Sequence, residues 1–163
     1  MNIIKATPAD LIEIFYLLKR CVKEMNSKGW LYWNLDFELL RKDVEKGSLF
    51  LYKTDYHSLG MITFSTEVLP GYEEVKWTDS SKKPLIINRL IVHPNWRKHG
   101  IADHLLAFAE EYAKDQGFTS LRLDVYAENQ EAISVYSNLH YQQTGQMQMQ
   151  AQKVPFYCFE KVL

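Results

Sequence analysis

Leu90-Ile91-Val92-His93-Pro94-Asn95-Trp96-Arg97-Lys98-His99-Gly100-Ile101-Ala102 is the stretch on which the reading of this chain turns. Pro84 to Val92 is almost continuously apolar, through Leu85-Ile86-Ile87 and Leu90-Ile91-Val92, as expected of a central strand covered on both faces. Pro94 turns the chain, a basic segment follows, and an amphipathic pattern starts at Ile101. A helix beginning there leaves its first N–H groups without intrahelical partners and carries the positive end of its dipole. Gly100 has no Cβ, and Ala102 keeps the first turn thin, so an anion can approach the backbone. Arg97, Lys98 and His99 add positive charge. Strand, turn and helix together read as a pyrophosphate-binding turn, the alternative being a plain turn glycine beside a solvated Arg97. No Gly-Lys-Ser/Thr follows, so it is not a Walker loop. Gly100 is the turn's one glycine, so it is not the dinucleotide fingerprint either.

Outward from this stretch the pattern is mixed α/β. Downstream, Ile101 to Gln116 places Ile101, Leu105, Phe108 and Tyr112 on one helical face, with Gly117 as the stop. Leu121, Leu123 and Val125 alternate with polar neighbours as a strand, so the helix crosses over between two parallel strands. Asn129 to Asn138 is a short helix, and Tyr141–Met149 and Phe156–Val162 read as closing strands. Upstream, Asn2 to Ala6 is a first strand. Thr7-Pro8-Ala9-Asp10 starts a helix with Leu11, Ile14, Phe15, Leu18, Val22 and Met25 on one face. Asp36 caps a second helix with Phe37, Leu40 and Val44 inward, and Leu49–Lys53 and Leu59–Val68 form a hairpin. Pro70 to Lys83 is a long polar loop of the kind that is often mobile or functional.

Composition sets the outer limits. The chain has 163 residues, 19 Lys+Arg against 20 Asp+Glu, and a formal net charge of −1. One domain over residues 1–163 is expected at this length. A balanced charge gives no field for a nucleic-acid strand. No apolar run reaches the roughly 18 residues of a membrane span, and no basic-then-apolar leader opens the chain. Cys21 and Cys158 stand far apart in unlike contexts, with no metal or redox spacing. The expectation is a reduced, cytoplasmic protein that binds neither nucleic acid nor membrane and holds no metal.

The sequence resembles the GCN5-related N-acetyltransferases. Val92-His93-Pro94 through Ala102 is similar to that family's acetyl-CoA pyrophosphate loop. Leu123-Asp124-Val125-Tyr126-Ala127-Glu128-Asn129-Gln130-Glu131-Ala132 through Tyr136 is similar to its second motif, with Asn129, Ala132 and Tyr136 at the family spacing. The resemblance implies a mixed, mostly antiparallel sheet whose central parallel pair is splayed for acetyl-CoA, flanked by about four helices. It implies acetyl transfer from acetyl-CoA to a primary amine of a small molecule or peptide, by direct attack in a ternary complex. Leu90, Ile91 and Val92 would meet the pantetheine arm through their backbone, and one N–H near Ile91 or Val92 would polarise the thioester carbonyl. Arg97, Lys98, His99, Gly100, Ile101 and Ala102 would hold the pyrophosphate, and Asn129 and Ala132 the arm. Tyr136 would be the general acid, since a phenol of pKa about 10 is protonated at neutral pH. Tyr136 also lies on its helix's apolar face, and Asn129 also suits a helix cap, so each has a purely structural alternative.

Three departures from the family pattern stand out. Many members have Gly where this chain has Lys98, Gly-Phe where it has His140-Tyr141, and Glu where it has Asn88. The Asn88 change opens the alternative of a non-catalytic acyl-CoA-binding or sensing module on the same fold. Neutralising a lysine-like amine at pH 7 costs roughly 4.6 kcal/mol, an α-amine only about 1. Glu67, Glu73, Glu74 and His93 are candidate bases, none assigned. Trp30, Trp33, Glu73, Glu74, Trp77 and Asn88 are the candidate acceptor residues, because aromatic faces and carboxylates suit a cationic amine. The same aromatics fit a hydrophobic lid or a homodimer contact equally well.

Overall fold

The computed structural model describes residues 2–29, 36–81, 83–148 and 154–163. Among them run β1 (Asn2–Lys5), α1 (Leu11–Ser27), α2 (Phe37–Glu45), β2 (Leu49–Lys53), β3 (Ser58–Ser65), β4 (Pro84–Val92), α3 (Ile101–Asp115), β5 (Ser120–Tyr126), α4 (Gln130–Asn138), β6 (Gln142–Met147) and β7 (Phe156–Val162). The sheet order is β1-β2-β3-β4-β5-β7-β6. Parallel pairing joins β4 to β5, registering Pro84–Ile86 on Ser120–Arg122. The pairs β1–β2, β2–β3, β5–β7 and β6–β7 are antiparallel. This is the mixed α/β sheet with a central parallel pair that the sequence predicts.

The chain forms two compact units that interleave in sequence: Met1–Phe64 with Arg89–Leu106, and Ser65–Asn88 with Ala107–Leu163. In the first unit, Ile14, Leu17, Leu18, Cys21, Val22 and Met25 of α1 pack with Leu40 and Val44 of α2, over Leu49, Leu51, Met61 and Ile91 of the strands. Full burial of each such aliphatic side chain contributes about 1.5–3 kcal/mol. Leu11 and Phe15 lie at the margin of this core, and Leu17 and Cys21 complete the face the sequence pattern only partly defines. Pro8–Asp10 forms a 3-10 turn ahead of α1, and the Asp10 carboxylate accepts the Thr7 N–H (2.9 Å) and hydroxyl (2.8 Å). Asp36 caps α2 as expected, accepting the N–H groups of Glu38 (2.9 Å) and Leu39 (3.3 Å).

Gly60 sits where β3, β4 and α3 meet. A Cβ there would lie 2.9 Å from the Ile91 carbonyl oxygen, 3.0 Å from Ile101 Cγ2 and 3.1 Å from Leu105 Cδ1. Only a residue without a side chain lets α3 lie this close.

In the second unit β7 pairs along all of β5, from Ser120↔Val162 to Tyr126↔Phe156. Two sequence expectations need correction. The hairpin's second strand ends at Ser65 rather than Val68, because the Ser65 hydroxyl accepts the Glu67 N–H (2.8 Å) and turns the chain outward, leaving Val68 exposed. The buried face of α3 is Ile101, Leu105, Leu106, Ala109 and Ala113, whereas Phe108 and Tyr112 are half-buried, their rings tilted against each other with centroids 6.0 Å apart. Small alanines let that face approach its neighbours, and the larger rings lie to its side.

The loop that follows Pro70 is pinned at Thr78 and Asp79. Arg122 and Glu160 are 8% and 2% exposed, and the Arg122 Nε donates to Glu160 Oε1 at 3.0 Å. Glu160 also accepts the loop N–H groups of Thr78 (2.6 Å) and Asp79 (3.2 Å), and Arg122 Nη2 donates to the Asp79 carbonyl (2.9 Å). The Asp79 carboxylate in turn accepts hydrogen bonds from Thr119 (2.6 Å) and Ser120 (2.9 Å).

Candidate functional site

In the first unit β4, a 3-10 turn at Pro94–Trp96 and α3 bring Leu90, Ile91, Val92 and the segment 97–102 together in one strand–turn–helix. His93 caps the 3-10 turn, its Nδ1 accepting the Asn95 N–H at 3.2 Å, and its own N–H donates to the Leu59 carbonyl at 2.8 Å. Ile91 is buried, while Leu90 and Val92 are half-buried. The Val92 carbonyl accepts the Cys21 thiol at 3.5 Å.

The turn has the form an anion needs. The first intrahelical bond of α3 runs from the His104 N–H to the Gly100 carbonyl, 3.0 Å. The N–H groups of Ile101, Ala102 and Asp103 therefore stand ahead of the helical ladder, at the positive end of the dipole. Gly100 has φ +75°, and a Cβ on it would meet nothing nearer than His104 Cε1 at 3.9 Å. The space beside it is open to a ligand, and the left-handed backbone excludes most side chains. This cradle fits a pyrophosphate.

Arg97 is ion-paired across the unit. Its Nη1 and Nη2 each lie 2.7 Å from a carboxylate oxygen of Glu24 on α1. That ion pair, hydrogen-bonded through Nη1, fixes the turn against α1. Lys98 and His99 are exposed, and the His99 Nδ1–H donates to the Arg97 carbonyl at 2.7 Å. Lys98 and His140 are the non-glycine residues with positive φ among the described residues, 62° and 65°. Both are positions at which the family pattern often has Gly.

In the second unit Asn129 caps α4, its Oδ1 accepting the Ala132 N–H at 3.2 Å. Tyr136 is 6% exposed and packs on Tyr141 and Phe159, with ring centroids 6.0 and 5.9 Å away. Asn88 lies in β4, its Oδ1 buried without a hydrogen-bond partner. Glu73 and Glu74 are exposed, and Glu73 accepts the Gly71 N–H at 2.9 Å. Trp77 donates its indole N–H to the Tyr72 carbonyl (2.8 Å), and the Arg122 guanidinium lies 4.5 Å from its ring centroid. Trp77 is half-buried. Trp30 and Trp33 lie outside the described residues.

Sequence reasoning missed the pair Tyr72–Asp124. Tyr72 is 1% exposed and donates its hydroxyl to Asp124 Oδ1 at 2.8 Å. Burial pushes the Asp124 carboxyl above the usual range, although the Tyr72 hydrogen bond works the other way. Burial also holds His93 below its usual range, helped by the charges of Arg20 and Arg97. Among the described residues no cluster of three or more metal-ligating side chains occurs, and no helix is long and apolar enough to cross a membrane.

The chain is 36% identical over 72 residues to N-acetyltransferase 8F1 of Rattus norvegicus, covering 44% of this chain and 33% of that protein. The match thus spans about a third of that relative's length. The structure is similar to an acetyltransferase of the GNAT family from Streptococcus agalactiae, with TM-score 0.83, 16% identity and coverage of 99% and 95% of the two chains. It is also similar to the PaiA N-acetyltransferase of Thermoplasma acidophilum in complex with coenzyme A, with TM-score 0.75, 16% identity and coverage of 99% and 98%. The sequence model of the acetyltransferase (GNAT) family matches residues 13–141, and this chain belongs to that family.

Proposed function

We propose that the protein is an N-acetyltransferase that moves an acetyl group from acetyl-CoA to a primary amine of a small molecule or peptide. The observation that carries the reading is the turn at Gly100: φ +75°, open space beside it, and the head of α3 behind it. Acetyl-CoA supplies an acyl group activated as a thioester. Backbone N–H groups of residues 100–102 hold its pyrophosphate, and Glu24 holds the turn in shape through Arg97. An N–H of Ile91 or Val92 orients and polarises the acyl carbonyl. Tyr136 donates its hydroxyl proton to the sulfur as the C–S bond breaks. Glu73, Glu74 and Asn88 belong to the acceptor side of this reading.

The test combines ligand binding and turnover. CoA should raise the melting temperature, and thiol release from acetyl-CoA should appear with at least one member of an amine panel. Gly100→Val should lower CoA affinity at least tenfold. Tyr136→Phe should lower turnover well beyond its effect on CoA affinity. No melting shift with CoA sinks the reading. CoA binding without turnover on any amine turns it into the acyl-CoA-binding module.

A further inference from the structure

The parallel ladder registers Pro84–Ile86 of β4 on Ser120–Arg122 of β5, while the two strands run on to Val92 and Tyr126. Asn88 and Asp124 each lie two residues beyond the last registered pair, so they stand level on neighbouring strands. Side chains alternate along a strand, and paired residues of a parallel ladder point the same way. Asn88 therefore shares a face with Ile86, and Asp124 with Arg122, which is the same face. The segment between β3 and β4 covers it: the Trp77 ring lies against Arg122, and Tyr72 reaches Asp124. All of these residues belong to the second unit.

Asp124 is held as the other candidate carboxylates are not. Glu67, Glu73 and Glu74 are exposed, whereas Asp124 is half-buried. Tyr72, 1% exposed, fixes its Oδ1 with a hydrogen bond of 2.8 Å. Burial moves the carboxyl up, and the Tyr72 hydrogen bond restrains the shift. A base whose pKa is moved towards the working pH takes a proton more readily than one left in water. The neighbouring groups leave this charge alone near neutral pH. Cys158, directly opposite on β7, has its thiol pushed up to about 12 and stays neutral, and Arg122 is bound to Glu160. Level with Asp124, Asn88 has its Oδ1 buried without a hydrogen-bond partner. His93, the remaining candidate, caps a turn in the first unit.

Resting on the acetyl-transfer reading, we infer that Asp124 is the general base that takes the proton of the acceptor amine, and that Tyr72 positions it. As the N–C bond forms and the C–S bond breaks, the nitrogen loses one proton to the Asp124 carboxylate and the sulfur gains one from Tyr136. A proton then passes through solvent from Asp124 to Tyr136, and both side chains end the cycle as they began it. The Asn88 Oδ1 is the acceptor for the N–H that the product amide keeps.

Asp124→Asn removes the base and keeps an oxygen for the Tyr72 hydroxyl. With the amine that wild type acetylates best, kcat should fall at least about a hundredfold, while the melting shift given by CoA stays as in wild type. Tyr72→Phe removes the hydrogen bond that lowers the Asp124 carboxyl. The acidic limb of kcat against pH should therefore move to higher pH. The NMR resonance of the Asp124 carboxyl carbon, read without any ligand, should titrate at higher pH as well. A limb that stays in place in Tyr72→Phe would overturn the positioning role. Undiminished kcat in Asp124→Asn, or a loss confined to the KM of the amine, would overturn the base and leave the acetyl-transfer reading standing. No melting shift with CoA, or no thiol release by wild type with any amine, would remove that reading and Asp124 as its base together.

Discussion

Glu160 is the residue whose loss the second unit should feel most. Its side chain is 1% exposed, and its carboxylate is the shared acceptor for Arg122 and for the N–H groups of Thr78 and Asp79. Glu160→Ala leaves the Arg122 guanidinium, 10% exposed, without its charge partner. Breaking one side of a buried pair costs about 3–5 kcal/mol. Thr78 is exposed, so water recovers part of what its N–H loses, and about 4 kcal/mol is the expected total. For a chain of this size that corresponds to a fall in Tm of roughly 8–16 °C. The companion experiment is Arg122→Met with Glu160→Met. Both charges are then gone, the volume is kept, and neither partner is stranded. The double variant should be more stable than either single variant, with a coupling of at least about 2 kcal/mol. Urea unfolding followed by circular dichroism gives these numbers. Limited proteolysis reads the loop directly: cleavage within residues 70–83 should be slow in the wild type and fast in Glu160→Ala. Single variants within about 1 kcal/mol of wild type, or a double variant no better than the sum of the singles, would refute the claim that this pair anchors the loop.

Other outcomes are expected. Burial favours the neutral form of Asp79, but hydrogen bonds from Thr119, Ser81 and Ser120 outweigh it and hold the carboxyl well below the usual range. Its stabilising contribution is therefore complete above the unfolded carboxyl pKa of about 3.9 and is lost as pH falls through the lower folded value. Stability measured from pH 6 to pH 2 should fall more steeply in wild type than in Asp79→Asn, and equal slopes would contradict this. Burial pushes the Cys21 thiol up to about 11 and the Cys158 thiol up to about 12. Neither should react with iodoacetamide at pH 8 in the native protein, and both should react in urea; native labelling would contradict the burial. Lys98→Gly and His140→Gly each relieve a left-handed backbone, about 1–2 kcal/mol, against about 0.5–1 kcal/mol of added unfolded-state entropy. Each should raise Tm by a few degrees, and a fall in either would mean that the side chain makes a stabilising contact.

What the sequence disclosed follows from the range over which each interaction acts. The strand–turn–helix at 84–115 and the cap at Asn129 are built from neighbours in the chain, so periodicity and turn chemistry suffice to read them. The pinned loop was not legible, because Arg122 and Glu160 are 38 residues apart and Tyr72 and Asp124 are 52 apart. The same holds for Arg97, whose ion-pair partner Glu24 lies 73 residues earlier. One faint signal was present. Glu160 occupies a largely apolar run, Phe156 to Val162, and a charge there calls for a partner. The departures at Lys98 and His140 were visible as unusual residues, but their cost appears only with their φ values.

Gly60 carries a consequence for how such chains can vary. It lies outside both sequence motifs, yet it decides how near α3 comes to the sheet and therefore where the head of that helix, with its anion cradle, stands. An alanine at this position meets a backbone carbonyl at 2.9 Å as well as two side chains, and only the side chains can be trimmed. Trimming Ile101 or Leu105 would thus make only partial room, and the helix would still have to lift. Position 60 is therefore closed to gradual change, and a substitution there would register as a loss of ligand affinity some forty residues down the chain.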